Sequence, residues 1–206
     1  MKNKNICLID YGMGNIKSVV NAFKKLDQHL IVSSSSEDIY KSDALILPGV
    51  GAFNKAMSSL KELKIIDPII ENTTIRKKPL LGICLGMQLL AESSTEVEYA
   101  NGLGLIPGNV IKIDCPKSFV LPHVGWNNIS FKTHFTLFKG IEKEPCFYFV
   151  HSYCFKTQEK YISSTTDYGT QIVSSVQYEN IIGVQFHPEK SQRKGLKLLS
   201  NFIEQI

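Results

Sequence analysis

Apolar residues along this chain follow two rhythms, and the change comes near residue 92. In the first part, short unbroken apolar runs alternate with segments whose apolar residues recur every three or four positions. The runs are Ile6 to Asp10, Leu30 to Val32, Ala44 to Leu47 and a stretch beginning at Leu80. The first, third and fourth are too short for a helix and read as buried strands, and Leu30 to Val32 reads as a short strand. The periodic segments are Asn15 to Lys25, with Ile16, Val19, Val20, Phe23 and Leu26 on one face, then Phe53 to Leu63 and Asp67 to Lys77. Ser36 followed by Glu37 and Asp38 suits a further helix start. This alternation predicts a parallel sheet with helices on both faces. Beyond Glu92 the turn-rich Gly102 to Gly108 stretch opens a region of strand-like runs with few helical patterns. They are Asn109 to Ile113, Val124 to Phe131, Cys146 to Tyr153, Ile172 to Gln177 and Ile181 to Phe186. Gly195 to Ile206 closes as a helix packing Leu196, Leu199, Phe202 and Ile203. The expected fold is α/β: a mostly parallel central sheet flanked by helices, with an antiparallel extension, in one domain over residues 1–206.

Composition narrows the function classes. The chain has 206 residues, 43% of them hydrophobic and 20% charged, as in ordinary globular proteins. A net charge of +4 is mild, and the short basic cluster Arg76-Lys77-Lys78 reads as a solvated face, so no nucleic-acid partner is expected. No apolar run reaches the roughly 18 residues of a membrane span, and no signal-peptide core follows the polar Met1 to Asn5. A cytoplasmic protein with no membrane contact is the expectation. Five cysteines without paired close spacing argue against a disulfide framework or a cysteine zinc site. The histidines show neither a His-x-His nor a His-Glu-x-x-His spacing, so no metal is expected.

The candidate chemistry starts at Gly82-Ile83-Cys84-Leu85-Gly86. It joins the apolar run Leu80 to Ile83 to a run of good helix formers through Leu90 and Ala91. Small residues two places either side of a nucleophile are the mark of a sharp strand-to-helix elbow, where neighbouring backbone comes too close for side chains. The sulfur of Cys84 would then sit at a helix N-terminus, whose partial positive charge favours thiolate. A buried core cysteine fits the same residues. His187-Pro188-Glu189 offers a base and an orienting carboxylate, which an extended segment would place on one side of the chain. A surface turn is the other reading. His151 and His123 are rival bases, but neither has a carboxylate at a helpful spacing. Pro48-Gly49-Val50-Gly51 ends a strand and either turns backbone N–H groups toward a ligand or simply makes a βα turn. Tyr11-Gly12-Met13-Gly14 lacks the third glycine of a dinucleotide loop and the Gly-Lys-Ser/Thr of a P-loop, so a tight turn is the better reading.

Together, the Gly-Ile-Cys-Leu-Gly-Met-Gln and Gln-Phe-His-Pro-Glu-Lys-Ser segments resemble the triad-type, class I glutamine amidotransferases. Asp10 to Asn15, Pro48 to Gly51 and Pro122-His123-Val124-Gly125-Trp126-Asn127 sharpen this to a resemblance to the glutaminase subunits of imidazole glycerol phosphate synthases, running from near residue 5 to the C-terminus. The resemblance implies a Cys84-His187-Glu189 triad that hydrolyses glutamine, with no cofactor. It implies an oxyanion hole from backbone N–H groups near Gly51 and of Leu85. Gly49, Gln88 and the His151-Ser152-Tyr153 stretch would bind glutamine. It also implies a TIM-barrel cyclase partner in a heterodimer, met by Asn15, Trp126, Tyr148 and Lys190, to which the ammonia passes. Asn54 stands where the family commonly has Gly or Asp, which leaves the triad untouched. Paralogous glutaminases that serve amidation of surface sugars, a free-standing cysteine amidase or peptidase and a non-enzymatic scaffold are the competing readings. Intact Cys84, His187 and Glu189 speak against the scaffold.

Overall fold

The computed structural model describes residues 4–206, so Met1, Lys2 and Asn3 of the polar leading stretch lie outside it. The first half alternates as the apolar rhythm predicts: β1 (Ile6–Ile9), α1 (Ile16–Lys24), β2 (Leu30–Ser33), α2 (Ser36–Lys41), β3 (Ala44–Leu47), α3 (Phe53–Glu62), α4 (Ile66–Ile70), β4 (Leu80–Ile83) and α5 (Leu85–Gln88). The second half holds β5 (Ser93–Ser94), β6 (Ala100–Asn101), β7 (Asn109–Lys112), β8 (His123–Phe131), β9 (Cys146–His151), β10 (Tyr153–Lys156), β11 (Ile162–Asp167), β12 (Gln171–Tyr178), β13 (Ile181–Val184) and the closing α6 (Gln192–Ile203).

Nine strands form one sheet in the order β2-β1-β3-β4-β13-β12-β11-β8-β9. β2, β1, β3, β4 and β13 run parallel, and β12, β11, β8 and β9 extend the sheet antiparallel. A smaller sheet takes the order β10-β7-β5-β6. Every residue of β1, β3, β4 and β13 is buried, which is why these strands read as unbroken apolar runs. Alternate residues serve opposite faces: Cys7, Ile9, Leu45 and Leu47 pack with α3, while Ile6, Leu8, Ala44 and Ile46 pack with α1 and α6. From α1 the core receives Val19, Ala22 and Phe23 in full, and Ile16, Val20 and Leu26 in part.

Several expected boundaries shift for identifiable reasons. The helix expected over Asp67 to Lys77 is α4 followed by a π-helical turn, Glu71–Ile75. The elbow helix stops at Gln88 instead of running through Ala91. Carbonyls of Leu89, Leu90 and Ala91 are taken by backbone N–H groups of residues 103–106, so tertiary pairing replaces the next helical turn. The run Cys146 to Tyr153 breaks at Ser152, where the chain leaves the large sheet and joins the small one as β10. α6 starts at Gln192, before the expected Gly195, and buries Leu198 more deeply than Leu196. β11, Ile-Ser-Ser-Thr-Thr-Asp, shows no apolar run because Ser163 and Ser164 satisfy their hydroxyls against Ser174 and Ser175 of β12. Among the described residues, no helix is long and apolar enough to cross a membrane.

Candidate active site

The parallel sheet ends in a crevice at the carboxyl ends of its strands, where ligands of such sheets bind. β4 and β13 pair in parallel with Gly82 opposite Gly183 and Ile83 opposite Val184. Cys84 N donates to Val184 O at 2.8 Å, so the first residues beyond the two strands, Cys84 and Gln185, leave the sheet side by side. Cys84 takes φ 55° and ψ −112°, in the left-handed half of backbone space that a non-glycine residue seldom occupies. Neighbours enforce this strained elbow: a Cβ on Gly86 would lie 1.8 Å from Leu47 O, so α5 can press against β3 only through glycine. The helix that follows is a single turn. Any field it places on Cys84 comes from the free N–H groups of that turn and not from a long dipole.

A cavity of about 350 Å³ opens over the elbow. Cys84, Gly51, Leu85, Gln88, His151, Ser152, Tyr153 and His187, all expected at the site, line it. Gly49 lies just behind, where an added Cβ would meet the Tyr11 hydroxyl and Leu85. Glu189 sits on the far side of His187, with Oε1 accepting from Nδ1 at 2.8 Å. The two side chains are only 2% and 1% exposed. An extended segment is not what brings them together. Pro188 opens a 3₁₀ turn, Pro188–Lys190, because its fixed φ suits a helical first position, and the turn folds Glu189 back onto His187. His187 N donates to Tyr148 O at 2.8 Å, which ties this turn to β9.

The other ring nitrogen, Nε2, is buried and has no partner within ordinary hydrogen-bond geometry. Since Nδ1 belongs to Glu189, Nε2 is the ring nitrogen left to interact with Cys84. Burial alone would push the His187 imidazole down. Hydrogen bonding to Cys84 and Glu189, with their negative charges, outweighs it and holds the imidazole up at about 10. The rival bases lie in a different environment. His123 and His151 face each other across β8 and β9, with Nδ1 of His123 3.1 Å from Nε2 of His151. His151 Nδ1 donates to Tyr153 O at 2.8 Å. Burial pushes both imidazoles down to about 4, so both are neutral near pH 7. The arrangement can therefore deliver a nucleophilic sulfur beside one charged imidazole, with the neutral pair serving as wall.

The glycine loop departs from the simplest expectation. Val50 N donates to Met13 O at 2.9 Å and so turns away from the cavity. Tyr11 Oη donates to Pro48 O at 2.7 Å, a second tie between the two loops. Gly51 adopts φ +103°, open to glycine alone without strain. Outside the cavity, the Trp126 and Tyr148 rings meet edge to face at 6.0 Å, and Lys190 Nζ lies 5.5 Å from the centroid of the Tyr148 ring. Trp126 is 49% exposed and Val124 53%. Asn15 caps the start of α1 without a side-chain hydrogen bond. Two site residues escaped the sequence reading. Glu96 lines the cavity from an irregular loop and accepts from Phe53 N at 2.6 Å. Gln185 is fully buried behind Cys84; it opens the Gln-Phe-His-Pro-Glu-Lys-Ser segment, where only His187, Glu189 and Lys190 suggest a role.

Comparison with known proteins agrees with this geometry. Residues 7–206 match the family model described as glutamine amidotransferase class-I. The chain is 48% identical over 202 residues to imidazole glycerol phosphate synthase subunit HisH 2 of Vibrio vulnificus (strain YJ016), covering 98% of this chain and 94% of that one. It is 45% identical over 198 residues to imidazole glycerol phosphate synthase subunit HisH 1 of Campylobacter jejuni (strain RM1221), covering 96% and 98%. Among solved structures, PurLQS from Thermotoga maritima superposes with a TM-score of 0.74 at 18% identity, covering 98% of this chain and 99% of that one, a likeness of fold. With a family match over nearly its whole length and close relatives over the same span, the chain belongs to the class I glutamine amidotransferases.

Proposed function

We propose that this chain is the glutaminase subunit of an imidazole glycerol phosphate synthase, with Cys84 as nucleophile, His187 as general acid and base and Glu189 as the group that orients it. The observation that carries the reading is the strained elbow that sets Cys84 in one cavity with His187, whose Nδ1 is held by the buried Glu189 carboxylate at 2.8 Å. The Cys84 thiolate attacks the side-chain carboxamide carbon of glutamine, and the carbonyl electrons move onto oxygen. N–H groups of Leu85 and of the Gly51 segment receive that oxyanion. The imidazolium gives its proton to the amide nitrogen, ammonia leaves, and a glutamyl thioester remains on Cys84. Neutral His187 then takes a proton from water, hydroxide attacks the thioester, and glutamate leaves as the thiolate returns. Gly49, Gln88 and the backbone of His151, Ser152 and Tyr153 hold the substrate. Glu96 is the one carboxylate among the described residues that line the cavity, and its charge suits the ammonium group of the substrate.

Ammonia made here serves a partner, a TIM-barrel cyclase that docks over the cavity mouth in the cytoplasm and produces imidazole glycerol phosphate and AICAR for histidine biosynthesis. Trp126, Tyr148, Lys190 and Asn15 form the docking contacts. The Val50–Met13 and Tyr11–Pro48 hydrogen bonds support a regulatory link, because they join the oxyanion loop to the loop that ends at Asn15. Docking that shifts this loop frees the Pro48 to Gly51 peptides to turn an N–H into the hole, to the extent that the partner binds that state more tightly. The glutaminase rate is to be measured for the chain alone, with the cyclase, and with cyclase plus acceptor analogue. The expected gain on completing the hole is roughly 10²–10³-fold. A high rate for the chain alone, unchanged by either addition, contradicts the proposal and points to a free-standing amidase.

A further inference from the structure

Behind the cavity wall lies a line of carboxamides whose direction is fixed at one end. The Tyr153 carbonyl can only accept, and Gln88 Nε2 lies 3.0 Å from it, so that end of the Gln88 amide carries the hydrogens. The same Nε2 lies 2.9 Å from Gln185 Oε1, so the Gln185 amide must present its oxygen to Gln88. Its nitrogen is thereby committed to the opposite side, where it lies 3.8 Å from Cys84 Sγ, within range for a donor to sulfur. Gln185 is 0% exposed and comes directly off β13, beside Cys84. A neutral thiol is a weak acceptor, and a buried amide N–H directed at one forgoes most of its hydrogen-bond energy. A thiolate returns that energy, since hydrogen bonds to ionised groups are about twice as strong as neutral ones.

We propose that Gln185 is a catalytic residue that donates its carboxamide N–H to the Cys84 thiolate, from a side separate from His187, with its orientation set by Tyr153 O through Gln88. The inference rests on the nucleophile assigned to Cys84 above. The relay has a second consequence. With both Gln88 hydrogens used inward, Oε1 of Gln88 is the group left to the substrate cavity. An acceptor there welcomes the N–H donors of glutamine and offers nothing to an anionic carboxylate, so the same line of amides favours glutamine over glutamate.

The test needs neither glutamine nor a partner. Iodoacetamide alkylation of Cys84 in the full chain, followed across pH and located by peptide mass spectrometry, reads thiolate content directly. Gln185→Met keeps the shape and removes the donor, and Gln185→Asn keeps an amide but withdraws it by one methylene. In both, the alkylation profile is expected to move to higher pH, with Cys84 alkylation slowed about tenfold below its midpoint, the size of one lost charge-assisted hydrogen bond. Either folded variant with a profile superimposable on the wild type overturns the proposal, because a purely structural Gln185 would change stability and leave the profile in place. Glutaminase rates on the same proteins, measured with the cyclase partner and acceptor analogue present, separate the two readings: a wild type inert toward glutamine in that complex defeats the functional proposal, while the alkylation comparison still decides the role of Gln185.

Discussion

His187 and His151 line the same cavity, both are almost fully buried, and their surroundings push them in opposite directions. Burial lowers both imidazoles. Cys84 and Glu189 overcome burial at His187 and raise it to about 10, whereas at His151 burial outweighs the one supporting carbonyl, of Tyr153, and holds the imidazole at about 4. Residue type therefore does not set the protonation state. The chemistry of the partners does, and the fold supplies those partners by turning the chain at Pro188 in one case and pairing β8 with β9 in the other.

The largest effect expected at this site comes from removing the sulfur that divides the two environments. Cys84→Ala should lower glutaminase turnover on the order of 10⁴–10⁶-fold, as loss of a nucleophile does elsewhere. Cyclase activity with added ammonium salt should survive in the complex, because only the ammonia supply is lost. If ammonium-dependent synthesis vanishes as well, the division of labour between the subunits is wrong.

Exchanging the two imidazoles for asparagine tests the comparison itself. His187→Asn should cost roughly 10²–10⁴-fold in kcat, the range for a general acid and base. His151→Asn should lose far less and act mainly on KM, since a neutral wall histidine shapes the pocket without exchanging protons. A greater kcat loss in His151→Asn reverses the assignment.

A smaller effect appears in stability against pH. His151 and His123 have lower affinity for protons folded than unfolded, so the stability they contribute is present above pH 6.5 and lost as pH falls toward about 4. His187 is the reverse: its contribution is full below pH 6.5 and lost as pH rises toward about 10. Each limb is worth on the order of a few kcal/mol. Denaturant unfolding of His151→Asn should show a shallower decline on the acid side than the wild type, and His187→Asn a shallower decline on the alkaline side. The same slope in all three proteins would mean that these imidazoles are not held as described.

The comparison also shows where sequence reasoning succeeded. Buried parallel strands were legible at β1, β3 and β4 because they are apolar throughout, and the elbow was legible because Gly82 and Gly86 have no substitute beneath it. His187 and Glu189 were rightly paired for a reason that the fold replaced, since a 3₁₀ turn and not an extended segment joins them. The length of α5 was misjudged because helix propensity at Leu89 to Ala91 yields to backbone pairing with residues 103–106. β11 was invisible because its serines are buried against other serines. Gln185 and Glu96 left no periodic signal, as their roles depend on what the folded chain brings beside them.

The central claim, that Cys84 carries the glutamyl group while His187 moves the protons, is most directly tested by trapping the acyl-enzyme. The chain, with its cyclase partner and saturating glutamine, is quenched in acid during steady turnover, and its peptides are analysed by mass spectrometry. A glutamyl thioester on Cys84, absent from Cys84→Ala and both formed and hydrolysed more slowly in His187→Asn, is the predicted result. Full-rate glutamine hydrolysis with no adduct on Cys84, or with the adduct on another cysteine, would contradict the account.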